Sequence, residues 1–576
     1  MIKISNAVAI FTIIGRQNRG RAFTLLLVML GVAIAESFSL AMIVPLLTFI
    51  SGGESQPSVN FLSKYINRND VAMSALTFLV GFYFLNLLKY FFLAYYAWLQ
   101  SCFIATIQVD LSTKLFKKYL VENYSFHLQN SSAALVRNIT VEVDHFIGGT
   151  LIPGMVLITE TLVVFGILVI LVSIQPIATL SSALLLGGSG FILLSFFKER
   201  SVRWGGQRQT HETEKITWMQ QGLQGIKEVK VFGVEKLFIN KFRRALSISA
   251  EMGSYQNFIQ GLPRLFVELI VLSAIVVFVG YLLTEKNSVA FILPVMGLFM
   301  AAAFRLIPSA NRILASIQSL RYTEPVIAVL EKELTTGNGL SNLPVGVPIH
   351  FQESLDIKDM SFRFQSNDQD VLKKINLKIN RGDIVGITGA SGAGKTTLLN
   401  IILGLLPPTQ GEVTVDGVDI ATNLSEWHQL IGYVPQETFL IEGTIAQNIL
   451  LERDAVINTS SLNQLLELVQ LKKFVSSLPM GFDASLDAFG INISGGQKQR
   501  LSLARALYRD PKILILDEIT SSLDQDTELS LIEELSKLKQ KFTIVVISHR
   551  PAILGLCNKI YEIKNNGLFQ IETQSA

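Results

Sequence analysis

The second half of the chain contains residues suited to binding phosphate. Residues 389–396 read GASGAGKT and follow an apolar run, so they fit the phosphate-binding loop GxxxxGK[ST] placed between a strand and a helix. The glycines of such a loop let backbone N–H groups turn toward phosphate oxygens at a helix N-terminus. Lys395 adds a mobile positive charge, and the hydroxyl of Thr396 is a ligand for Mg²⁺. The sequence therefore predicts a nucleotide site.

A second apolar run, residues 513–518, reads ILILDE and ends in two carboxylates. An aspartate at the end of a buried strand can hold Mg²⁺, and the carboxylate after it can polarise an attacking water. Asp517 and Glu518 follow the phosphate loop in the same predicted α/β domain. Together these motifs predict hydrolysis of a nucleoside triphosphate.

The elements that position these residues belong to only part of the chain. Of the 576 residues, 49% are hydrophobic and 16% charged, whereas soluble domains carry about 25% charged residues. Long apolar runs lie between residues 22 and 313, and the chain after about 345 alternates short strands, glycine turns and charged helices. This pattern predicts an α-helical membrane domain of six transmembrane helices fused to an α/β P-loop ATPase domain. We expect the domains at 1–325 and 346–576, with a linker at 326–345.

Six apolar runs are long enough to span a membrane, because a hydrocarbon core of about 30 Å needs roughly 20 helical residues. They are residues 22–50, 75–101, 146–174, 176–197, 256–283 and 289–313. Basic residues concentrate in residues 102–145 and 198–255, so we expect these segments and both termini to be cytoplasmic. We predict that spans two to five continue through them as helices that form two cytoplasmic projections.

Seven ionisable residues lie within or at the ends of these runs: Glu36, Lys89, Glu160, Arg264, Glu268, Arg305 and Arg312. Charges in lipid are costly unless they face a cavity or a partner. Arg305 and Arg312 are two helical turns apart and project from one face of the last span. They predict either a cationic cavity wall for an anionic head group such as a phosphate or pyrophosphate, or arginines that snorkel or pair with Glu268 or Glu160.

A third motif identifies the family. Residues 493–497, ISGGQ, are followed by KQR and the helical stretch LSLARAL, and they resemble the signature sequence of ATP-binding cassette (ABC) proteins. The family pattern continues with Gln436 of GYVPQE as the Q-loop glutamine, residues 521–524 (SSLD) as the D-loop and His549 of VVISHR as the switch histidine. Phe364 stands where the family places an adenine-stacking aromatic residue. The resemblance covers residues 355–570.

The resemblance implies the roles of these residues. Glu518 and His549 are catalytic, as the general base and the γ-phosphate partner. Thr396, Gln436 and Asp517 hold Mg²⁺. The signature closes on ATP bound by the opposite subunit, so one cassette per chain implies a homodimer with two ATP sites. The implied ATP-binding residues are Phe364, Gly389, Ala390, Ser391, Gly392, Ala393, Gly394, Lys395, Thr396, Thr397, Gln436, Ser494, Gly495, Gly496, Gln497 and Asp524.

One segment departs from the family pattern. Exporters carry a stretch like TEVGERG before the signature, and residues 484–490 read ASLDAFG here, which keeps only the final glycine. ATP chemistry is unaffected, but the interdomain contact made by that stretch is put in doubt. Asp483 or Asp487 is a substitute for the missing glutamate.

Six spans followed by one cassette resemble an ABC exporter half-transporter. Residues 31–47, 222–238 and 303–313 look like segments of bacterial lipid-linked oligosaccharide flippases. This implies flipping of a polyprenyl-pyrophosphate-linked glycan to the outer leaflet, with Arg264, Arg305, Arg312 and Lys89 near the pyrophosphate. The alternatives are export of a lipid, drug or peptide, and a membrane ATPase that signals or gates. A net charge of +3 and six spans argue against a nucleic-acid partner.

Overall fold

The structure is a computed structural model. It describes residues 4–42, 71–174, 176–284, 289–335, 347–364, 369–451, 459–486, 493–519, 525–538 and 541–571. The chain divides into two compact units. Unit 1 comprises residues 1–122 and 127–338, and unit 2 comprises residues 123–126 and 339–576.

The described residues of unit 1 form helices joined by short turns, and six of these helices are long. We number these long helices one to six in chain order: Arg19–Ala41, Val71–Val121, Ile152–Ile174, Pro176–Gln224, Glu235–Thr284 and Val289–Tyr322. At 1.5 Å per residue, a helix of 51 residues such as long helix two is about 75 Å long, more than twice the hydrocarbon core. Long helices two, four and five thus have the length that the predicted cytoplasmic continuations need.

Three helical stretches are long and apolar enough to cross a membrane when only the described residues are searched. They are Arg16–Ala41, Leu79–Val121 and Ser132–Ser173. Long helices one, three and six share a buried apolar cluster of Ala33, Leu40, Val163, Ile167, Leu171 and Ala302. A Cβ atom on Gly166 would lie 2.2 Å from the Ser37 hydroxyl, so long helices one and three are in close contact.

The approach to long helix three is not a single α-helix. The short α-helices Ser132–Arg137 and Val143–Phe146 alternate with two π-helical turns, Asn138–Glu142 and Ile147–Leu151. Within this stretch Glu142 is fully buried and pairs with Arg137 at 3.4 Å and with Arg208 at 3.1 Å. A buried carboxylate is stable only with such partners, so this ion cluster links the approach to long helix four.

Four shorter α-helices complete the described part of unit 1: Ile4–Ile14, Tyr124–Gln129, Ile226–Phe232 and Glu324–Thr335, although residues 123–126 are grouped with unit 2. The last of these buries Val326, Ile327 and Leu330. It occupies much of the predicted linker, residues 326–345. The domain bounds themselves stay a prediction.

Unit 2 contains two sheets. The first is antiparallel, with strand order β2-β1-β4-β5, and the second has the order β10-β9-β3-β8-β7-β6. In the second sheet β9, β3, β8, β7 and β6 are parallel, and β10 pairs antiparallel at the edge. The strands are β1 Ser354–Phe362, β2 Leu372–Asn380, β3 Ile384–Gly389, β4 Gln410–Val415, β5 Val418–Asp419, β6 Ile431–Val434, β7 Ile513–Asp517, β8 Thr543–Ile547, β9 Lys559–Lys564 and β10 Gly567–Ile571.

Helices cover both faces of the parallel sheet, as its buried strands require. The neighbouring strands β7 and β8 are buried at every residue. The α-helices are Lys395–Ile402, Leu424–Leu430, Ile445–Leu450, Thr459–Leu468, Lys472–Ser476, Gly495–Tyr508, Gln525–Leu538 and Pro551–Leu554. We call Lys395–Ile402 the phosphate-loop helix and Gly495–Tyr508 the signature helix.

Candidate functional site

The residues predicted for phosphate chemistry follow the carboxyl ends of four parallel strands. The phosphate loop follows β3, Gln436 follows β6, Asp517 ends β7 and His549 follows β8. Ligands of open α/β sheets bind at this edge, because loops from neighbouring strands converge there. The sheet topology therefore collects side chains that are more than 100 residues apart in the chain.

The phosphate loop has the conformation that its glycines allow. Gly392 and Gly394 have φ angles of +79° and +104°, which residues other than glycine rarely adopt. A Cβ atom on Gly389 would lie 2.7 Å from the Ile563 carbonyl oxygen, so the loop also passes close to β9. The phosphate-loop helix begins at Lys395, so its free N–H groups point into the loop.

Lys395 is held inside this loop. Its Nζ donates hydrogen bonds to the carbonyl oxygens of Gly389 at 2.8 Å and Ala390 at 3.1 Å. Burial lowers the pKa of Lys395, and the nearby Glu518 and Asp517 oppose that shift. The ammonium group is thus positioned by its own loop, with two carboxylates near it. Thr396 is exposed and Thr397 half-buried at the start of the helix.

Asp517 is buried at the end of β7. Burial raises the pKa of its carboxyl, and the adjacent Glu518 raises it further. Tyr433 lies on the neighbouring strand β6 close to Asp517, and burial followed by the charge of Asp517 raises the pKa of Tyr433 to about 12. Tyr433 is a functional residue that the sequence reasoning missed. Its position three residues before Gln436 was the available signal.

Glu518 is the centre of a three-residue contact. Its φ of +45° is a left-handed value for a residue with a side chain. Gln436 Nε2 donates a hydrogen bond to Glu518 Oε2 at 2.9 Å, and His549 Nε2 lies 3.7 Å from Glu518 Oε1. The structure thus brings together the three residues to which the sequence assigns the base, the switch and the Q-loop roles.

The signature residues form a helix N-terminus. Ser494 caps the signature helix by accepting a hydrogen bond from the Gln497 N–H at 3.2 Å, and Gln497 Oε1 accepts one from the Ser494 N–H at 2.9 Å. This reciprocal capping box uses the N–H groups of Ser494 and Gln497 and leaves those of Gly495 and Gly496 available to an anion. Ser494 and Gly495 are exposed, and Gly496 is half-buried.

Another predicted nucleotide residue, Phe364, follows β1. Phe364 packs edge-to-face on Phe362, with ring centroids 4.9 Å apart. Asp524 lies outside the described residues, as do residues 487–490 of the stretch before the signature. Of the two substitutes for the missing glutamate, Asp483 is exposed on a 3₁₀ turn and Asp487 falls outside the described part.

Four of the charged residues of the predicted spans form a network of ion pairs in unit 1. We call Glu36, Glu160, Arg305 and Arg312 the membrane ion cluster. Arg305 binds Glu36 through Nε at 2.7 Å and also through Nη2, and Arg305 Nη2 lies 3.5 Å from Glu160 Oε2. Arg312 Nη1 donates to Glu160 Oε1 at 2.5 Å. Of the two alternatives for these arginines, the structure shows the pairing with Glu160. It also shows Glu36 as a partner, which the sequence reasoning did not name.

The other three predicted path residues are separate from this cluster. Lys89 Nζ donates to the Ser39 hydroxyl at 3.3 Å and lies 4.8 Å from the centre of the Tyr90 ring. Arg264 pairs with Glu268 one turn along the same helix, at 2.8 Å, and both side chains are exposed. Glu268 therefore forms its ion pair with Arg264 of its own helix.

Two family models match the chain. Residues 22–305 match the ABC transporter transmembrane region, and residues 372–521 match the ABC transporter domain. The chain is 28% identical over 494 residues to the heterocyst differentiation ATP-binding protein HepA of Nostoc sp., covering 83% of this chain and 78% of that protein. It is 27% identical over 489 residues to the ATP-dependent lipid A-core flippase of Ralstonia nicotianae, covering 81% and 79%.

A solved structure has the same fold. The structure of a bacterial Atm1-family ABC exporter with ATP bound aligns with a TM-score of 0.79 and 20% identity, over 96% of this chain and 94% of that one. The predicted fold class, a helical transmembrane domain fused to a nucleotide-binding domain, is confirmed.

Proposed function

This chain is an ABC exporter half-transporter that couples ATP hydrolysis to transport, and from this premise we propose that it flips a lipid-linked oligosaccharide from the cytoplasmic to the outer leaflet of the cell inner membrane. The observation that carries the proposal is the pair of arginines in the last predicted span. Arg312 lies two turns from Arg305 and is 54% exposed. A cation there suits an anionic head group such as a pyrophosphate. The relative named as a lipid A-core flippase supports a lipid-linked substrate.

The roles that we propose in ATP hydrolysis are those that the resemblance to ABC proteins implies, and the chemistry of the residues is compatible with them. Glu518 is the base that accepts the proton of the attacking water. Its carboxylate accepts a hydrogen bond from Gln436 and lies at the same edge of the sheet as the phosphate loop. His549 stabilises the γ-phosphate. Lys395 and the N–H groups of the phosphate loop bind the β and γ phosphates. Phe364 stacks on the adenine.

A magnesium ion fits the oxygen atoms available at this edge. Asp517 supplies a carboxylate, Thr396 a hydroxyl and Gln436 an amide oxygen, and hard cations prefer oxygen ligands. Gln436 Nε2 binds Glu518, so its amide oxygen is the atom left for a metal. Mg²⁺, when bound, neutralises phosphate charge. Thr396, Gln436 and Asp517 would hold it.

We propose that the working unit is a homodimer with two ATP sites. Each chain carries one phosphate loop and one signature helix, and the start of the signature helix is exposed in the single chain. Because that start is an exposed helix N-terminus whose N–H groups suit an anion, the ATP of a second copy suits it. Both termini and the ATPase domain are then cytoplasmic, which agrees with the positive-inside rule applied to residues 102–145 and 198–255.

The test is transport in reconstituted vesicles. The full chain is inserted into lipid vesicles with a polyprenyl-pyrophosphate oligosaccharide, and its ATP-dependent movement between leaflets is followed by enzymatic access to the glycan. We expect movement with ATP and none with a non-hydrolysable analogue. A matched set of vesicles carries a fluorescent phospholipid or a drug. Transport of these cargoes without movement of the oligosaccharide would reject the flippase and leave a lipid or drug exporter.

A further inference from the structure

The membrane ion cluster has no net formal charge. It contains two carboxylates, Glu36 of long helix one and Glu160 of long helix three, and two guanidinium groups, Arg305 and Arg312 of long helix six. The Glu160 side chain is only 5% exposed. An anion that approaches the arginines therefore meets cations that already have a counter-ion. The interactions that hold these counter-ions in place therefore determine how strongly an approaching anion binds to the arginines.

The two arginines are held unequally. Arg305 is 24% exposed and contacts both carboxylates, binding Glu36 through two nitrogen atoms. Arg312 is 54% exposed, and its acidic partner among the described residues is Glu160 alone. Removing Arg312 from the cluster breaks one ion pair, whereas removing Arg305 breaks contacts to two acids, the buried Glu160 and the half-buried Glu36. Arg312 is the arginine that can be released at the smaller cost.

Glu160 keeps partners when Arg312 leaves. The Ser309 hydroxyl donates a hydrogen bond to Glu160 Oε2 at 2.7 Å, and Arg305 Nη2 lies 3.5 Å from the same oxygen. A buried carboxylate stripped of every partner would be strongly destabilising. Ser309 and Arg305 prevent this, so the exchange of Arg312 from Glu160 to another anion is feasible.

We propose that Glu160 is the resident counter-ion of Arg312 and that an anionic group of the transported molecule replaces it. Glu160 is then a specificity-determining residue, because it sets the affinity that a head group must exceed. A singly charged or neutral lipid competes poorly with a carboxylate held at hydrogen-bond distance, whereas a pyrophosphate carries more charge. This inference rests on the proposed function, since it concerns the same substrate site.

The experiment measures stimulation of ATPase activity in lipid nanodiscs. The probes are a polyprenyl pyrophosphate and the polyprenol of the same chain length, titrated against the wild-type chain and Glu160→Gln. Glutamine keeps the size of the side chain and an oxygen that accepts from Ser309, but it frees Arg312 of its counter-ion. We expect the half-stimulating concentration of the pyrophosphate to fall at least about fivefold, with no change for the polyprenol.

A double-mutant cycle shows whether Glu160 acts through Arg312. In the Arg312→Gln background, Glu160→Gln should leave the half-stimulating concentration unchanged. The control is Asp510→Asn, the same carboxylate-to-amide change at an exposed ion pair with Lys512 in unit 2. It should match the wild type. An effect of Glu160→Gln that persists without Arg312 would contradict the proposal.

A second variant applies if Glu160→Gln does not fold, as judged by size-exclusion chromatography and basal ATPase activity. Ser309→Ala removes the hydroxyl that holds Glu160 when Arg312 leaves, so it should raise the half-stimulating concentration of the pyrophosphate. An unchanged value would overturn the proposal. A wild-type chain that the pyrophosphate does not stimulate rejects the proposed function as well. Stimulation of the wild type with no shift in Glu160→Gln overturns only the role of Glu160.

Discussion

The ATP site of unit 2 and the membrane ion cluster of unit 1 treat charge in opposite ways. In the ATP site two acids are neighbours in sequence, and burial together with Glu518 raises the pKa of Asp517. The nearby Lys395 is hydrogen-bonded to backbone carbonyls of its own loop. In the membrane ion cluster each arginine binds a glutamate directly. The charged groups of the ATP site are therefore available to a ligand and a metal ion, whereas the charges of the membrane ion cluster compensate one another.

The two regions also differ in how far apart their partners lie in the chain. Lys395 contacts a residue six positions away, and Ser494 contacts one three positions away. Glu160 and Arg312 are 152 residues apart, and Glu36 and Arg305 are 269 apart. Local motifs therefore define much of the ATP site, and helix packing defines the membrane ion cluster.

The largest effect should come from Glu518→Gln. The amide cannot accept the proton of the attacking water, so ATP turnover should fall about 100-fold or more. ATP binding should persist, because the phosphate loop and Lys395 are untouched, and the two ATPase domains should remain trapped in the closed dimer. Turnover is measured by phosphate release and binding by a fluorescent ATP analogue.

The matched control is Glu467→Gln, which removes an exposed carboxylate that pairs with Lys472 at 3.0 Å. It should hydrolyse ATP at the wild-type rate. Normal turnover in Glu518→Gln would show that Glu518 is not the base. The comparison of the ATP site with the membrane ion cluster would then no longer include a catalytic acid.

The sequence alone predicts those parts of the ATP site whose residues are close together in the chain. The phosphate loop, the acid pair and the capping of the signature helix follow from short motifs, whereas the contact between Gln436 and Glu518 depends on the pairing of β6 with β7. Tyr433 was missed because its contact with Asp517 crosses from β6 to β7. In unit 1 the apolar runs predict the helices, but not the π-helical turns before long helix three. The partner of Arg305 in long helix one could not be predicted, because the pattern of one helix does not specify which residue of another faces it.

Long-range packing in unit 1 is tested by Gly205→Ala in long helix four. A Cβ atom there would lie 1.9 Å from the backbone carbonyl oxygen of Tyr322 in long helix six. The backbone cannot move aside as a flexible side chain can, so the free energy of unfolding should fall by about 1–3 kcal/mol. The measurement is the Tm of the purified chain in detergent.

The adjacent Gly206 provides the control, since a Cβ atom on it meets no atom within 4 Å. Gly206→Ala removes a glycine from the same helix, so its Tm should match the wild type or rise, because alanine is favoured in helices by up to about 1 kcal/mol. Equal Tm values for the two variants would mean that this helix contact does not stabilise unit 1.

The smallest effect should come from Tyr433→Phe, which tests the proximity of Tyr433 on β6 to Asp517 on β7 in the ATP site. The change removes the polar hydroxyl near Asp517, so we expect the carboxylate to be less well oriented for a metal. The Mg²⁺ concentration that half-activates ATP hydrolysis should rise about tenfold, while the rate at saturating Mg²⁺ changes less. Tyr561→Phe, at a half-buried tyrosine of β9, is the control and should leave the Mg²⁺ dependence unchanged. If Tyr433→Phe also leaves the Mg²⁺ dependence unchanged, local motifs are sufficient to define the ATP site. The ATP site and the membrane ion cluster would then differ more strongly in their dependence on long-range contacts than the structure indicates.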